Sequence, residues 1–260
     1  MTAAAPPAAR PERIVAPPGP VLFGRYAFGP NRLGYCGPDE APSLLAYAAS
    51  GTDDGGLRAL ARGFEGAYPY LELIAAANDI PDPLDASVVE AYWLGSPLTA
   101  AVRVRALQRS MEQRFRSRLS PSGWRWLEAA VRLGARPVHA FHVLDVFPRI
   151  GLLRGGAVDD VLATIDACRI RWGRVEAIVG DSLIVAAVSL EMVDGRLRLA
   201  APRLETITRW LDGTGFVDEI EPGEMVAIHW SWACDRLTPR QLRNLVAWTR
   251  LALRVANRST

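Results

Sequence analysis

Two periodicities divide the chain. Over about 42–166, apolar residues recur every three or four positions, the spacing of a helix with one buried face. Across 98–119, Val104, Leu107, Met111, Phe115 and Leu119 share one stripe, while Arg103, Arg105, Arg109 and Arg116 fall on other faces. That spacing predicts one amphipathic helix. Ser120 and Pro121 predict the N-cap and first turn of the next helix, and Gly134 its end. A third helical run starts at Val158 and ends at Cys168.

After Cys168 the period drops to two, so side chains alternate between faces as in strands. Strands are expected over 169–179 and 183–193 around a Gly180-Asp181 turn, and over 196–200 after an Asp194-Gly195 hairpin. Pro222-Gly223 precedes a further strand, and a closing helix carries Pro239 in its first turn. Four or five short strands within roughly 70 residues suit a small barrel that closes to remove its edges. The expected fold class is α+β, an all-helical N-terminal domain followed by a small OB-like antiparallel β-barrel with a C-terminal helix. The expected divisions are a disordered Pro/Ala-rich tail over 1–20, a helical domain over 21–166, and a barrel with its terminal helix over 167–260.

Composition narrows the class. Half of the 260 residues are hydrophobic, enough for a sizeable core, and no run of 18 or more apolar residues offers a membrane span. The formal net charge of +2 creates no field for a polyanion, so nucleic acid is not an expected partner. Every basic residue is Arg, a bias assigned to genome composition. Three cysteines, Cys36, Cys168 and Cys234, are too few for a secreted disulfide framework and point to a reducing cytoplasm.

The order Cys168, Gly173-Arg174-Val175, Gly180-Asp181, Pro222-Gly223, Val226 and His229, followed by a helix, resembles the HypC/HupF-type chaperones of nickel-iron hydrogenase assembly. The resemblance covers about a third of the chain. It implies an assembly factor, a chaperone or scaffold rather than an enzyme, in which Cys168 and His229 transiently hold a cyanide- and carbonyl-ligated iron. The implied partner is the hydrogenase large subunit or another maturation protein. Two departures stand out: Cys168 is internal rather than N-terminal, and Trp172 occupies the place where that family tends to have proline. A thiolate with an imidazole suits iron better than hard cations, and Arg169 and Arg171 are expected to favour the thiolate.

Other residues compete for attention. Cys234, expected near the start of the terminal helix, could add a thiolate or pair with Cys168, although Trp230 and Trp232 suggest packing. Cys36 sits in a Gly-rich turn whose Cys-Gly-x-Asp faintly resembles a hydrogenase large-subunit metal motif. His139, His142 and Asp145 stand three apart, which on a helix gives one face able to bind zinc or iron. Arg103, Arg105 and Arg109 could dock an acidic partner. Phosphate-binding Gly-Lys-Ser/Thr loops, GxSxG, HExxH and CxxC are all absent from the sequence. Two alternatives stand beside the assembly factor: a metal-free OB-type adaptor for a protein or single-stranded nucleic acid, and a small-molecule enzyme using His139, His142 and Asp145.

Overall fold

A computed structural model describes residues 16–148 and 158–258. In chain order the helices are α1 (Gly19–Arg32), α2 (Ala41–Ser50), α3 (Gly55–Arg62), α4 (Tyr68–Ala77), α5 (Ala86–Leu94), α6 (Pro97–Ala101), α7 (Val104–Phe115), α8 (Pro121–Arg132) and α9 (His139–Phe141). The short α9 runs into a π-turn at His142–Val146, and α10 (Val158–Cys168) leads to the strands. These are β1 (Arg171–Val179), β2 (Ser182–Ala187), β3 (Leu190–Val193), β4 (Arg196–Leu199), β5 (Arg203–Thr208), β6 (Trp210–Leu211), β7 (Thr214–Gly215), β8 (Met225–His229) and β9 (Trp232–Arg236). The closing helix is α11 (Pro239–Ala256). The architecture is mixed α+β, helices first, strands next and a helix last. Among the described residues no helix is long and apolar enough to cross a membrane.

Local chemistry explains several boundaries. The Ser120 hydroxyl accepts from the Gly123 N–H at 3.1 Å with Pro121 in the first turn of α8, and Gly134 takes φ +101° after its end. Asp194 and Gly195 both have positive φ, 51° and 72°, in the tight β3–β4 hairpin. The Thr238 and Gln241 side chains form a reciprocal capping box on α11.

Other expectations need correction. Residues 1–15 of the expected tail lie outside the described residues, while Gly19 and Pro20 are buried in the first turn of α1. The single helix expected over 98–119 is two, because Val102 turns extended (ψ 116°) and is itself buried, which leaves Val104 39% exposed. The strand expected at 169 starts at Arg171, since the Arg169 N–H still bonds the Ile165 carbonyl at 3.1 Å. The strand expected over 183–193 divides into β2 and β3. Between them Arg169 donates to the Val188 carbonyl at 2.6 Å and Asp166 accepts from the Leu190 N–H at 2.9 Å, so side chains at the end of α10 take the place of ladder bonds.

Five strands pair in a closed ring, in the order β1-β2-β5-β9-β8. All neighbours are antiparallel except β5 and β9, which meet in parallel at Thr208 and Trp232. Bulges between Val175 and Ala177 and between Ala227 and Ile228 add the local bend that closure requires. Val175, Leu183, Val185, Ile207, Val226 and Ile228 fill the interior of the ring.

α1 connects the halves. Every one of its residues except Arg25 and Arg32 is buried, as expected of a helix apolar all round. It packs on α2, α3 and α5 on one side and on β8 and β9 on the other. A second, larger core runs from these helices through Cys168, Ile170, Trp172, Trp232 and Cys234 to α11. α11 itself lies against α5 and α9. Arg240 grips Glu90 of α5 with two bonds of 2.7 and 2.9 Å, and the Asn257 side chain pairs both ways with the Leu197 backbone at 2.9 Å.

Candidate metal centre and its cavity

The end of α10, the short α9 and the end of β8 deliver Cys168, His139 and His229 to one point between the helices and the strand ring. One donor atom from each lies within 4.8 Å of the other two, and all three residues are buried, at 8%, 6% and 1% exposure. The imidazoles of His139 and His229 meet edge to face, centroids 5.1 Å apart, and both pack on Trp93 of α5. The centre borders a cavity of about 740 Å³. His142 also lines it, so every histidine of the chain faces this space.

Hydrogen bonds decide which ring nitrogens carry protons. A carbonyl can only accept, so His229 Nδ1–H donates to the Tyr26 carbonyl at 2.6 Å. In the neutral ring Nε2 then carries a lone pair; that buried atom makes no hydrogen bond among the described residues, and the Cys168 carbonyl is the backbone group that acts on this side of the ring. Holding one ring N–H on a carbonyl and leaving the other nitrogen bare is how ligating histidines are prepared. His139 follows the same logic: Nε2–H donates to the Cys168 carbonyl at 2.8 Å, and Nδ1 accepts from the Tyr92 hydroxyl at 3.2 Å. One of those bonds has to open for His139 to ligate.

Burial keeps all these groups uncharged. It lowers His229 to a pKa of about 4, against a smaller upward pull from the Tyr26 and Cys168 carbonyls. It also holds His139 well below the usual imidazole range, with His229 adding to the effect. The Cys168 thiol is pushed up to about 12 by burial, and the Trp230 indole N–H draws it part of the way back. The expected thiolate-favouring field of Arg169 and Arg171 is therefore overturned: Arg169 pairs with Asp166 and Arg171 with Glu205, each at 2.8 Å. Neutral imidazoles are ready ligands, whereas the thiol gives up its proton only to a metal that replaces it.

The rim is built by the loop after α1. Asn31 Nδ2 donates to the carbonyls of Cys36 and Pro38 at 2.8 and 2.6 Å. Gly37, at φ +79°, leaves room for the Phe64 ring, which a Cβ would overlap. Tyr35 stacks on Trp230 with centroids 3.9 Å apart. Trp230 and Ser231 hold φ of 50° and 58° in the β8–β9 turn, a conformation non-glycine residues adopt at a cost, directly after His229. Cys36, exposed by surface area, lines the cavity, and crowding there followed by the Cys168 sulfur raises its thiol pKa.

A family model described as a family of unknown function, DUF6390, matches residues 15–260. The chain belongs to that family. No curated protein and no solved structure matches it. The HypC/HupF resemblance is corrected by this result, because DUF6390 accounts for nearly the whole chain. The residues that carried the resemblance have local explanations: Gly180 and Gly223 are turn glycines with φ of 55° and 95°, and Val175 and Val226 point into the ring. Arg174 pairs with Glu176 at 3.0 Å.

In this DUF6390 protein the remaining candidates separate. The π-turn beginning at His142 breaks the helical register, so His139, His142 and Asp145 do not act as one face. His139 joins Cys168 and His229, His142 bonds the Tyr70 hydroxyl at 3.1 Å, and Asp145 is buried elsewhere in the π-turn. Cys234 lies in the buried strand β9 and not at the start of a helix; burial and Asp235 raise its thiol. Arg103, Arg105 and Arg109 are exposed and outside the cavity. Sequence reasoning missed Tyr92, Trp93 and Arg114, whose only signals were aromatic pairs and one arginine among many.

Proposed function

We propose that this DUF6390 protein is a metal-dependent small-molecule protein, holding a zinc-class ion through Cys168, His139 and His229 beside the 740 Å³ cavity. The observation that carries the reading is the bare, buried Nε2 of His229 next to a second imidazole and a thiol. Two imidazoles and a thiolate make a donor set that zinc accepts, and three protein ligands leave a fourth position for water or substrate. When bound, such an ion supplies Lewis-acid polarisation of a ligand oxygen. The chain's own part is to fix the imidazole tautomers through Tyr26 and Cys168 and to bury all three donors. Donors of a tetrahedral ion stand roughly 3.3–3.8 Å apart, so loading draws the three side chains together from their present spread of up to 4.8 Å. We read the strand ring as an OB-type barrel serving as a rigid mount for His229.

Zinc titration of metal-free protein should reach one ion per chain, and cobalt in its place should produce a sulfur-to-metal charge-transfer band. His229→Gln should bind at least about tenfold more weakly, and Cys168→Ser should lose the charge-transfer band while the protein still folds. Absence of both stoichiometric zinc and the cobalt band would overturn the reading. Iron co-purifying with cyanide and carbonyl infrared bands would overturn the choice of metal.

A further inference from the structure

The wall of the same cavity also carries positive charge. Arg62, Arg114 and Arg118 line it against one acidic residue, Glu65. Arg114 is the best fixed of these. Its Nη2 donates to the carbonyls of Glu65 and Gly66 at 3.0 and 3.1 Å, and its guanidinium lies 4.6 Å from the ring centres of both Tyr70 and Phe115. Nη1 is buried and has no hydrogen-bond partner among the described residues. A permanent charge held in place with an unused buried donor costs free energy unless an acceptor arrives. Around it the walls are aromatic: Phe64, Tyr68, Tyr92, Trp93 and Phe115.

We infer that the cavity takes a small carboxylate with an apolar or aromatic body, its carboxylate held by Arg114 and its body lying between the aromatic walls. This deepens the reading of the cavity as a small-molecule site, and it does not require the metal. The choice of carboxylate follows from donor number. One guanidinium, with both Nη2 hydrogens already given to two carbonyls, has Nη1 left as a donor for a monoanion, whereas a phosphoryl dianion needs several donors converging on it. The volume also matches a molecule of this size, since small-ligand sites span about 300–1,000 Å³.

Benzoate, phenylphosphonate and benzyl alcohol are the probes, titrated calorimetrically into metal-free and zinc-loaded full-length protein. Benzoate should bind both forms, at least about tenfold more tightly than benzyl alcohol. Arg114→Gln should reduce benzoate affinity about tenfold and leave benzyl alcohol nearly unchanged. Arg114→Lys keeps the charge and a donor for the Glu65 and Gly66 carbonyls but loses the separate Nη1 donor; it should weaken benzoate several-fold, and it serves if Arg114→Gln does not fold. Equal binding of benzyl alcohol, tighter binding of phenylphosphonate, or benzoate affinity unchanged in the folded variant overturns the inference. Failure of the metal reading would appear separately, as missing zinc with Arg114-dependent benzoate binding intact.

Discussion

His142 shows how single residues in this cavity depend on their surroundings. Burial, with the Arg114 charge in addition, lowers its pKa to about 3, while the Tyr70 hydroxyl bonds Nδ1. An unfolded histidine titrates near 6.5, so between about pH 6.5 and pH 3 the unfolded chain holds a proton that the folded chain refuses. Stability from this group is complete above pH 6.5 and falls as pH falls through that window, by at most about 1.4 kcal/mol per pH unit. His142→Gln should therefore lose stability less steeply on acidification, measured by urea unfolding at pH 7, 5 and 4. Parallel slopes for variant and parent would refute the assignment. The sequence exposed His142 as a candidate but not its neighbours, since Tyr70 and Arg114 arrive from α4 and α7. The same limit applied to His139. Its spacing to His142 and Asp145 was visible, whereas the π-turn that separates them, and the fold that turns His139 toward Cys168 and His229, were not.

At the scale of elements, the position of His229 is set by α1. Gly29 passes so close to β8 that a Cβ there would overlap the His229 carbonyl oxygen, and it would also meet the Trp232 Cβ at 3.3 Å. Alanine inside a helix ordinarily gains about 1 kcal/mol over glycine. Here the sign should reverse, because two close-packed elements have to separate, and Gly29→Ala should destabilise by about 1–3 kcal/mol. Gly24→Ala provides the contrast: its Cβ would meet the Ala48 methyl at 3.3 Å and the Leu44 side chain at 3.4 Å, atoms on α2. Denaturant melts of both variants test this, and a Gly29→Ala midpoint at or above the parent's would end the claim that α1 sets the spacing. The helical runs around α7, α8, α10 and α11 were legible because the Ser120 cap, the first-turn Pro239 and the stripe of Leu107, Met111 and Phe115 act locally, whereas α1 to α5 were not located one by one. β5 was not, since Leu204 points outward at 70% exposure and weakens the alternation that marks a strand. β9 was hidden because its turn uses Trp230 and Ser231 at positive φ in place of glycine or asparagine.

For the whole molecule, the change of period near Cys168 marks a change of architecture, but the larger core runs straight across it. Phe28 of α1 stacks edge to face on Trp232 of β9 at 4.7 Å and on Phe216 at 5.8 Å. Arg25 reaches Asp235 at 3.5 Å. Cys168, Ile170 and Trp172 are buried among helices that precede them by many residues. The strand ring keeps its own interior, yet its outer side toward α1 is apolar and closed only by the helical half. A fragment spanning 167–258 would expose Trp232, Trp172 and Ile170 together, a patch larger than small soluble domains usually leave open. It would also free α11, whose Arg240 bonds Glu90 in α5. The full chain should unfold in a single transition that secondary-structure and tryptophan signals report alike. The fragment should show strand content with weak near-ultraviolet dichroism and should bind a hydrophobic dye. A fragment that melts cooperatively at the temperature of the full chain would mean that the ring stands alone, and that α1 merely rests on it.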